Sequence, residues 1–543
     1  MKTFSPSLIG CMKNYEKGQL IKDITAGVIV AIIALPLSIA LAIASGVGPA
    51  VGLYTAIVAG FLVSLLGGSR VQIAGPTAAF ATIVAGIVAS KGIEGLAVAT
   101  ILAGLMLVLL GVFRLGGLIK FIPYTITTGF TSGIAVTILV GQLKDFFGLT
   151  FTHAPVETME KIEEVILSFG TVNLWAVAIG VLSLAILILL PKVLPKVPAS
   201  LIAVIVCALV VKLFNVPVNT IGTLYPDISS AAPKLVVPAF SMKTIVDAIP
   251  DAFTIAVLAA VESLLSCVVA DGMIGTKHNS NTELIAQGVA NVGSALFGGI
   301  PATGAIARTA ANIKNGGRSP IAGMVHAVVL FAMLVILMPY AKLIPMPTIA
   351  AILFVVAYNM SEWREFVHIV KTSPLSDTIV LVSTFVLTIV FDLVVAIVVG
   401  IILATVLFMK RMADESSVSA WKTPDESDPD HIRFKKVPQG VRVYEITGPI
   451  FFGASDKISD ILIDEDTKAL IIRMRAVPAI DATGIHSIET LVEACKKSEV
   501  KLIFSHVNDQ PMKVLRKAGI DKLVGEKNFA GNIDEALRIA EDI

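Results

Sequence analysis

Two apolar segments, residues 67–86 and 297–317, are interrupted by glycine and proline in the same way. In each, a short extended stretch is expected to precede a helix that begins inside the apolar layer. Pro76 suits the first turn of one helix, where no backbone donor is needed, and Thr303 is suited to cap the other. Helix N-termini present free N–H groups and about half a positive charge. Two such ends facing each other predict an anion site, and close helix packing is the alternative role for the same glycines.

Three polar residues lie in or beside apolar segments, where burial is costly. Glu262 lies in IAVLAAVESLLSCVVA, and Ser266 follows it by one helical turn on the same face. A carboxylate inside a membrane usually marks a pathway or a coupling site. Glu262 is therefore expected to carry a proton or, with Ser266, to bind sodium, and a structural salt bridge or a neutral buried acid is the alternative. Arg308 is expected to add positive potential at the anion site, to pair with Glu262, or to lie at the inner end of its helix.

The composition is that of a membrane protein. Of the 543 residues, 55% are hydrophobic and 15% are charged, and the mean hydropathy is +0.85. These values exclude a soluble globular enzyme and a disordered protein, and the net charge of +1 lacks the basic excess of a nucleic-acid binder. The four cysteines form no CxxC pair, which argues against a disulfide framework or a zinc site. The sequence contains no Walker loop, paired metal ligands or activated nucleophile, so no enzymatic activity is expected.

Long uncharged runs predict fourteen membrane spans within residues 23–412, after an N-terminal segment of residues 1–22. The two interrupted segments occupy matching places if a second repeat begins at about residue 244. Each half then holds seven spans, so the second half enters the membrane from the opposite side, as in the inverted repeats of secondary transporters. Lys and Arg are concentrated in the short loops of one side, which predicts that both termini are cytoplasmic.

The chain changes character after the last span. Residues 413–438 are polar and charged and are expected to form a linker. In residues 439–543, VRVYEITGPIFFG is expected to form two short strands, and ALIIRM and VKLIFSHV one strand each, with helices between them. This order predicts a small cytoplasmic α/β domain that is long enough to fold alone.

The order of these features resembles the SulP family of anion transporters with a C-terminal STAS domain. The most specific stretches are ALPLSIALAIASGVGPAVGLYTAIVAG, GSRVQIAGPTAAF, TGFTSGIAV, FDLVVAIVVGIILA and the long run from VESLLSCVVADGMIGTKHNSN to GGIPATGAIARTAAN. The resemblance implies a seven-plus-seven inverted repeat with a core domain and a gate domain. It also implies a homodimer that moves anions by an elevator-like shift of the core.

The resemblance further implies the residues that bind the substrate and the coupling ion. Those expected to meet the anion are Leu37 and Leu41 on the first helix, Pro76, Thr77 and Ala78 on the third, and Thr303, Gly304, Ala305, Ile306, Ala307 and Arg308 on the tenth. Glu262 and Ser266 on the eighth helix match the position where the bicarbonate-transporting branch holds sodium. The coupling ion is expected to be H⁺ or Na⁺, and no other cofactor is expected.

In the C-terminal domain, VPAIDATGIHSIETL resembles the STAS signature. Phosphorylated relatives carry Ser in the tetrad that reads Asp481–Gly484 here, where Thr483 has the only hydroxyl. Thr483 is therefore a candidate regulatory residue, and capping of the following helix is its alternative role. The domain is expected to aid dimerisation, folding or binding of a cytoplasmic protein partner.

The resemblance is closest to the bacterial branch that imports C4-dicarboxylates such as succinate, fumarate and aspartate. The expected function is secondary active transport of small anions across a bacterial inner membrane, in contact with membrane lipid and without nucleic acid. A sodium-coupled bicarbonate or sulfate transporter is the first alternative. A nucleobase permease and a STAS signalling platform that transports nothing are the others.

Overall fold

A computed structural model describes residues 4–13, 15–117, 122–153, 155–194, 197–226, 228, 230–391, 393–420, 437–464 and 466–542. The chain divides into two compact units, Met1–Ile401 and Ile402–Ile543. Most of the predicted linker, residues 421–436, lies outside the described residues. Its beginning does not form a linker, because the last helix of the membrane part continues to Glu415 and a strand follows it.

The first half of the membrane part contains helices and one very short strand. They are α1 (Ser7–Met12), α2 (Lys17–Ala44), α3 (Pro49–Leu66), β1 (Ala74–Gly75), α4 (Ala78–Val112), α5 (Tyr124–Phe147), α6 (Thr158–Leu167), α7 (Leu174–Val193), α8 (Ala199–Phe214) and α9 (Ile221–Leu224). Gly92 (φ 71°, ψ −176°) divides α4 into two helical parts, a conformation that favours glycine.

The second half repeats this order. It contains α10 (Met242–Ile274), α11 (Ser280–Leu296), β2 (Thr303–Gly304), α12 (Ile306–Lys314), α13 (Ile321–Ala341), α14 (Met346–Met360), α15 (Trp363–Thr372), α16 (Leu375–Val390) and α17 (Leu393–Glu415). With α4 counted as two and the short α1, α6, α9 and α15 left out, the described residues hold seven spans in each half. The predicted fold is confirmed. The first span begins at Lys17, somewhat earlier than the residue 23 predicted from charge.

The spans pack in two groups, which correspond to the predicted core and gate. Helices α2, α3, α4, α10, α11, α12 and α13 contact one another extensively, and α5, α7, α8, α14 and α16 form the other group. Helices α4 and α11 approach each other closely in the core. A Cβ on Gly104 would lie 2.6 Å from the carbonyl oxygen of Gly288, so only small residues allow this contact.

The C-terminal unit is a five-stranded sheet in the order β3 (Ser417–Ala420), β4 (Val441–Thr447), β5 (Ala469–Ala476), β6 (Lys501–Ser505) and β7 (Phe529–Ala530). Strand β3 is antiparallel to β4, and the other pairs are parallel. Helices α18 (Ala482–Lys497), α19 (Asp509–Lys517) and α20 (Ile520–Val524) pack on one face, and α21 (Ile533–Glu541) packs on the other. Parallel strands covered on both faces confirm the predicted α/β class.

One predicted strand of this unit is wrong. Gly448 (φ 87°) ends β4, and the next residues turn away from the sheet into a 3₁₀ helix at Ser455–Asp460. Ile450 forms only an isolated bridge with Ile480. The apolar run that follows Gly448 therefore does not continue as a second strand.

Candidate functional site

The two interrupted segments meet in the middle of the core. Strand β1 pairs antiparallel with β2, with Ala74 opposite Gly304 and Gly75 opposite Thr303. Immediately beyond the strands, α4 begins at Ala78 and α12 begins at Ile306. The predicted breaks before both helices are confirmed, but Pro76 lies outside α4 and not in its first turn, because Thr77 is the residue that precedes the helix. The first N–H groups of each helix precede its internal hydrogen bonds.

Thr303 does not cap α12, contrary to the sequence prediction. Because Thr303 is paired in β2, Ala305 is the residue that precedes the helix. The hydroxyl of Thr303 lies 2.7 Å from Ser263 Oγ. The N–H of Gly304 donates to Ser263 Oγ at 3.1 Å, and that of Ala305 donates to Ile73 O at 2.9 Å. The first α12 donors left for a ligand therefore come from Ile306 onward.

A cavity of about 310 Å³ lies where the two helices begin. Every residue predicted to bind the substrate lines it, except the buried Thr303. These residues are Leu37, Leu41, Pro76, Thr77, Ala78, Gly304, Ala305, Ile306, Ala307 and Arg308. The cavity therefore joins positions from α2, from the β1–α4 segment and from the β2–α12 segment.

Arg308 supplies the positive charge of this cavity. The residue is only 2% exposed, and its Nη2 donates to Pro76 O at 3.1 Å and to Ser38 Oγ at 3.3 Å. Its Nε and Nη1 are buried and find no hydrogen-bond partner among the described residues. Of the three roles considered from the sequence, the structure supports positive potential at the cavity, because within the described part of the chain Arg308 has no ion pair with Glu262.

Glu262 also lines the cavity, from α10. The hydroxyl of Thr77 donates to its Oε2 at 2.9 Å. Ser266 does not share this position, because it is fully buried and its hydroxyl lies 3.4 Å from Thr309 Oγ1. The structure thus brings Glu262 to the predicted anion site and leaves Ser266 behind α12. The described residues contain no cluster of three or more His, Cys, Asp or Glu side chains that could hold a metal ion.

The opposite wall was missed from the sequence. It contains Thr131 of α5, Val356, Asn359 and Met360 of α14, and Glu362 beyond it. In the sequence, Asn359 and Glu362 are marked only as polar residues at the end of an apolar span. A neighbouring cavity of about 520 Å³ shares these two residues, so they lie where the two spaces adjoin.

Glu362 has an unusual backbone and an unusual acidity. Its φ of 42° lies in the left-handed region, which is strained for a residue with a side chain and is often found at functional positions. Loss of hydration raises the pKa of the Glu362 carboxyl, and the nearby Glu365 carboxylate raises it further.

In the C-terminal unit, Asp481 and not Thr483 caps α18. Its Oδ1 accepts the N–H of Gly484 at 2.9 Å, and its Oδ2 accepts the N–H of Phe452 at 3.0 Å. Thr483 lies in the first turn with its side chain exposed. The capping alternative for Thr483 is therefore wrong, and its exposure leaves the regulatory prediction untested.

Comparisons with known proteins match the whole architecture. The sulfate permease family matches residues 20–384, and the STAS domain matches residues 435–536. YvdB of Bacillus subtilis (strain 168), provisionally named a sulfate transporter, is 40% identical over 97% of this chain and 99% of its own length. The bicarbonate transporter BicA of Picosynechococcus sp. (strain ATCC 27264 / PCC 7002 / PR-6) is 30% identical over 95% of this chain and 94% of its own. The murine Slc26a9 anion transporter in the inward-facing state shares the fold, with a TM-score of 0.87 at 19% identity over 99% of this chain and 94% of that one.

Proposed function

This chain belongs to the sulfate permease family, and we propose that it is a secondary active transporter that carries small anions across the cytoplasmic membrane. The observation that supports this best is the buried guanidinium of Arg308, whose Nε and Nη1 have no partner among the described residues. A buried cation without a direct ion-pair partner is costly, and a bound anion would supply that partner. The nearby starts of α4 and α12 would add their partial positive charge.

Glu262 supports coupling of the anion to a cation. When ionised, its carboxylate offsets the charge of Arg308 within the same cavity and disfavours an incoming anion. Binding of H⁺ or Na⁺ at Glu262 would remove that repulsion, so the anion and the cation would enter together. Symport with H⁺ or Na⁺ is therefore part of the proposal, and Ser266 contributes to it only if its side chain moves from Thr309.

Two observations bear on the substrate, and they favour different anions. The names of the relatives YvdB and BicA favour sulfate or bicarbonate. Much of the cavity lining is aliphatic, however, including Leu37, Ile306 and Met360, which suits an anion with a carbon skeleton. We retain the C4-dicarboxylates succinate, fumarate and aspartate as the substrates to be tested first.

The cavity lies between the core helices and α14 of the gate, which supports an elevator-like movement. In that mechanism the core, with β1, β2, α4 and α12, carries the anion past a stationary gate. Both termini would be cytoplasmic, and the protein would work as a homodimer with a cytoplasmic partner for its STAS domain. Cross-linking in membranes and protease access to the C-terminal unit test this arrangement.

A liposome uptake panel tests the proposed function. Purified protein is supplied with labelled succinate, fumarate, aspartate, sulfate, bicarbonate and uracil, and the sodium and proton gradients are varied separately. The wild-type protein is expected to take up at least one of the anions, and the Arg308→Gln variant is expected to take up none. Uptake of uracil alone would indicate a nucleobase permease. No uptake of any solute by correctly inserted protein would favour the STAS signalling platform.

A further inference from the structure

A smaller polar cavity, of about 240 Å³, lies beside the N-terminal segment. Ser5, Ser7 and Gly10 form one wall, and Gly68, Arg70 and Lys277 are among the residues of the other. The N-terminal segment is fixed there by hydrogen bonds to both halves of the core. The hydroxyl of Ser7 donates to Ser69 O at 2.6 Å, and the N–H of Ser5 donates to Thr282 Oγ1 at 3.1 Å.

The cavity carries two positive charges that have no partner among the described residues. Arg70 and Lys277 both line it, and neither forms an ion pair or hydrogen bond with any described residue. The one acid in the lining, Asp271, is already engaged: its Oδ2 lies 2.7 Å from His278 Nδ1 and accepts the His278 N–H at 2.8 Å. The other ring nitrogen of His278 lies 3.0 Å from Ser280 Oγ. Two cations without an ion-pair partner among the described residues, next to an acid whose oxygens already have hydrogen-bond partners, favour an anionic ligand.

The apolar side chains beside the cavity indicate where that ligand comes from. Phe4, Ile9 and Met12, on or next to α1, are 41%, 62% and 50% exposed. Arg70 and Lys277 lie at the ends of the membrane spans, on the side that the Lys and Arg distribution predicts to be cytoplasmic. Apolar residues next to unpaired cations at the ends of membrane spans are typical of a segment that lies in the lipid headgroup region.

We propose that this cavity binds the phosphate of an anionic phospholipid. Arg70 and Lys277 contact the phosphate, the Ser5–Gly10 wall closes over it, and the exposed apolar side chains of α1 lie against the acyl chains. The site is independent of the proposed transport activity. Because residue 70 precedes β1 by only a few residues, the lipid would also hold the segment that leads into the centre of the core.

Native mass spectrometry of the full-length protein in detergent tests this proposal. Phosphatidylglycerol or phosphatidylcholine is added, and retained lipids are counted. The wild-type protein is expected to retain one more phosphatidylglycerol than phosphatidylcholine, and R70Q/K277Q is expected to bind that lipid about thirtyfold more weakly. The control K314Q/K371Q removes two exposed lysines predicted for the same side and should bind as the wild type does.

A second pair of variants keeps the test valid if R70Q/K277Q folds poorly. A Cβ on Gly10 would meet no atom within 4 Å, so G10Q and G10E should both fold, and only the carboxylate of G10E should expel the phosphatidylglycerol. Equal retention of the two lipids by the wild type, or equal loss in G10Q and G10E, would overturn the proposal. Stabilisation by inorganic phosphate that R70Q/K277Q abolishes, with phosphatidylglycerol retention unchanged, would assign the site to free phosphate and overturn the lipid assignment.

Discussion

The hydroxyl of Thr77 donates a 2.9 Å hydrogen bond to Glu262 Oε2, and this bond joins the two halves of the repeat at the anion cavity. Thr77 is the residue before α4, and Glu262 lies in α10, the first span of the second half. Oε1 of Glu262 accepts no hydrogen bond from the described residues. One oxygen is thus held by the element that begins at the anion site, while the other remains available to a cation.

Removal of this hydrogen bond should alter the dependence of transport on the coupling cation. In Thr77→Val the carboxylate loses its partner and its fixed orientation, so we expect the H⁺ or Na⁺ concentration for half-maximal uptake to change about tenfold. Thr77→Ser keeps the hydroxyl and should behave as the wild type. Uptake into liposomes, measured against pH and against external sodium, gives both values. If the cation dependence of uptake is unchanged in Thr77→Val, Glu262 does not bind the coupling cation.

Gly75 leaves space for the Arg308 guanidinium, because a Cβ at this position would overlap Nη1. The overlapping atom is the end of a flexible side chain, so Gly75→Ala should fold with near-normal stability but displace the guanidinium. We expect the KM for the anion to rise about tenfold or more, since small displacements of binding groups are costly. Uptake kinetics and thermal unfolding measure the two effects.

Gly52→Ala is the matched comparison for Gly75→Ala. Its Cβ would overlap the backbone carbonyl oxygen of Ser38, which cannot move aside, so this variant should lose stability. A Gly75→Ala protein with normal KM would show that the guanidinium position does not set anion affinity. If Gly75→Ala were as unstable as Gly52→Ala, the Arg308 side chain would not move aside as the prediction requires, and the prediction would be wrong.

Glu362 should make anion uptake depend on pH. Because the pKa of its carboxyl is raised, the group takes up its proton at a higher pH than an ordinary glutamate. As the pH falls through that range, the cavity that contains Arg308 loses a negative charge, and uptake should increase. In Glu362→Gln we expect uptake near neutral pH to increase about threefold, with a weaker pH dependence.

Glu365→Gln is the control for Glu362, because Glu365 lines the neighbouring cavity but not the one that contains Arg308. Uptake by the Glu365→Gln variant should depend on pH more steeply than uptake by the Glu362→Gln variant. Initial uptake rates between mildly acidic and mildly alkaline pH, at a fixed sodium gradient, provide the comparison. Identical profiles in the wild type and Glu362→Gln would contradict the prediction and leave Glu262 as the titrating group.

The sequence was sufficient to predict the centre of the fold, because the relevant signal is local. Glycine and proline at matching places in two apolar segments indicate where helices must break, and the structure pairs these places as β1 and β2. The direction of individual side chains was not accessible in this way. The side chain of Thr303 faces Ser263 and not the cavity because Thr303 pairs with Gly75. Only the pairing of the two halves establishes this register.

The gate wall could not be predicted for a related reason. Asn359 and Glu362 belong to an ordinary apolar span and the residues after it, and they reach the cavity only because α14 packs against α5 and faces the core. In the C-terminal unit, apolar runs predicted β4, β5 and β6 correctly, but not β3, which lies in the predicted linker, or the two-residue β7. The error after Gly448 arose because apolar character alone does not distinguish a strand from a buried turn.

The cap of α18 provides a prediction for the STAS unit that does not depend on transport. In Asp481→Ala the N–H groups of Gly484 and Phe452 lose their acceptors, which should destabilise the unit by about 1 kcal/mol. Hydrogen exchange of the full-length protein should become faster in the first turns of α18. Thr483→Ala removes only an exposed hydroxyl and should leave exchange unchanged. Faster exchange in Thr483→Ala, with none in Asp481→Ala, would show that the threonine stabilises the helix start.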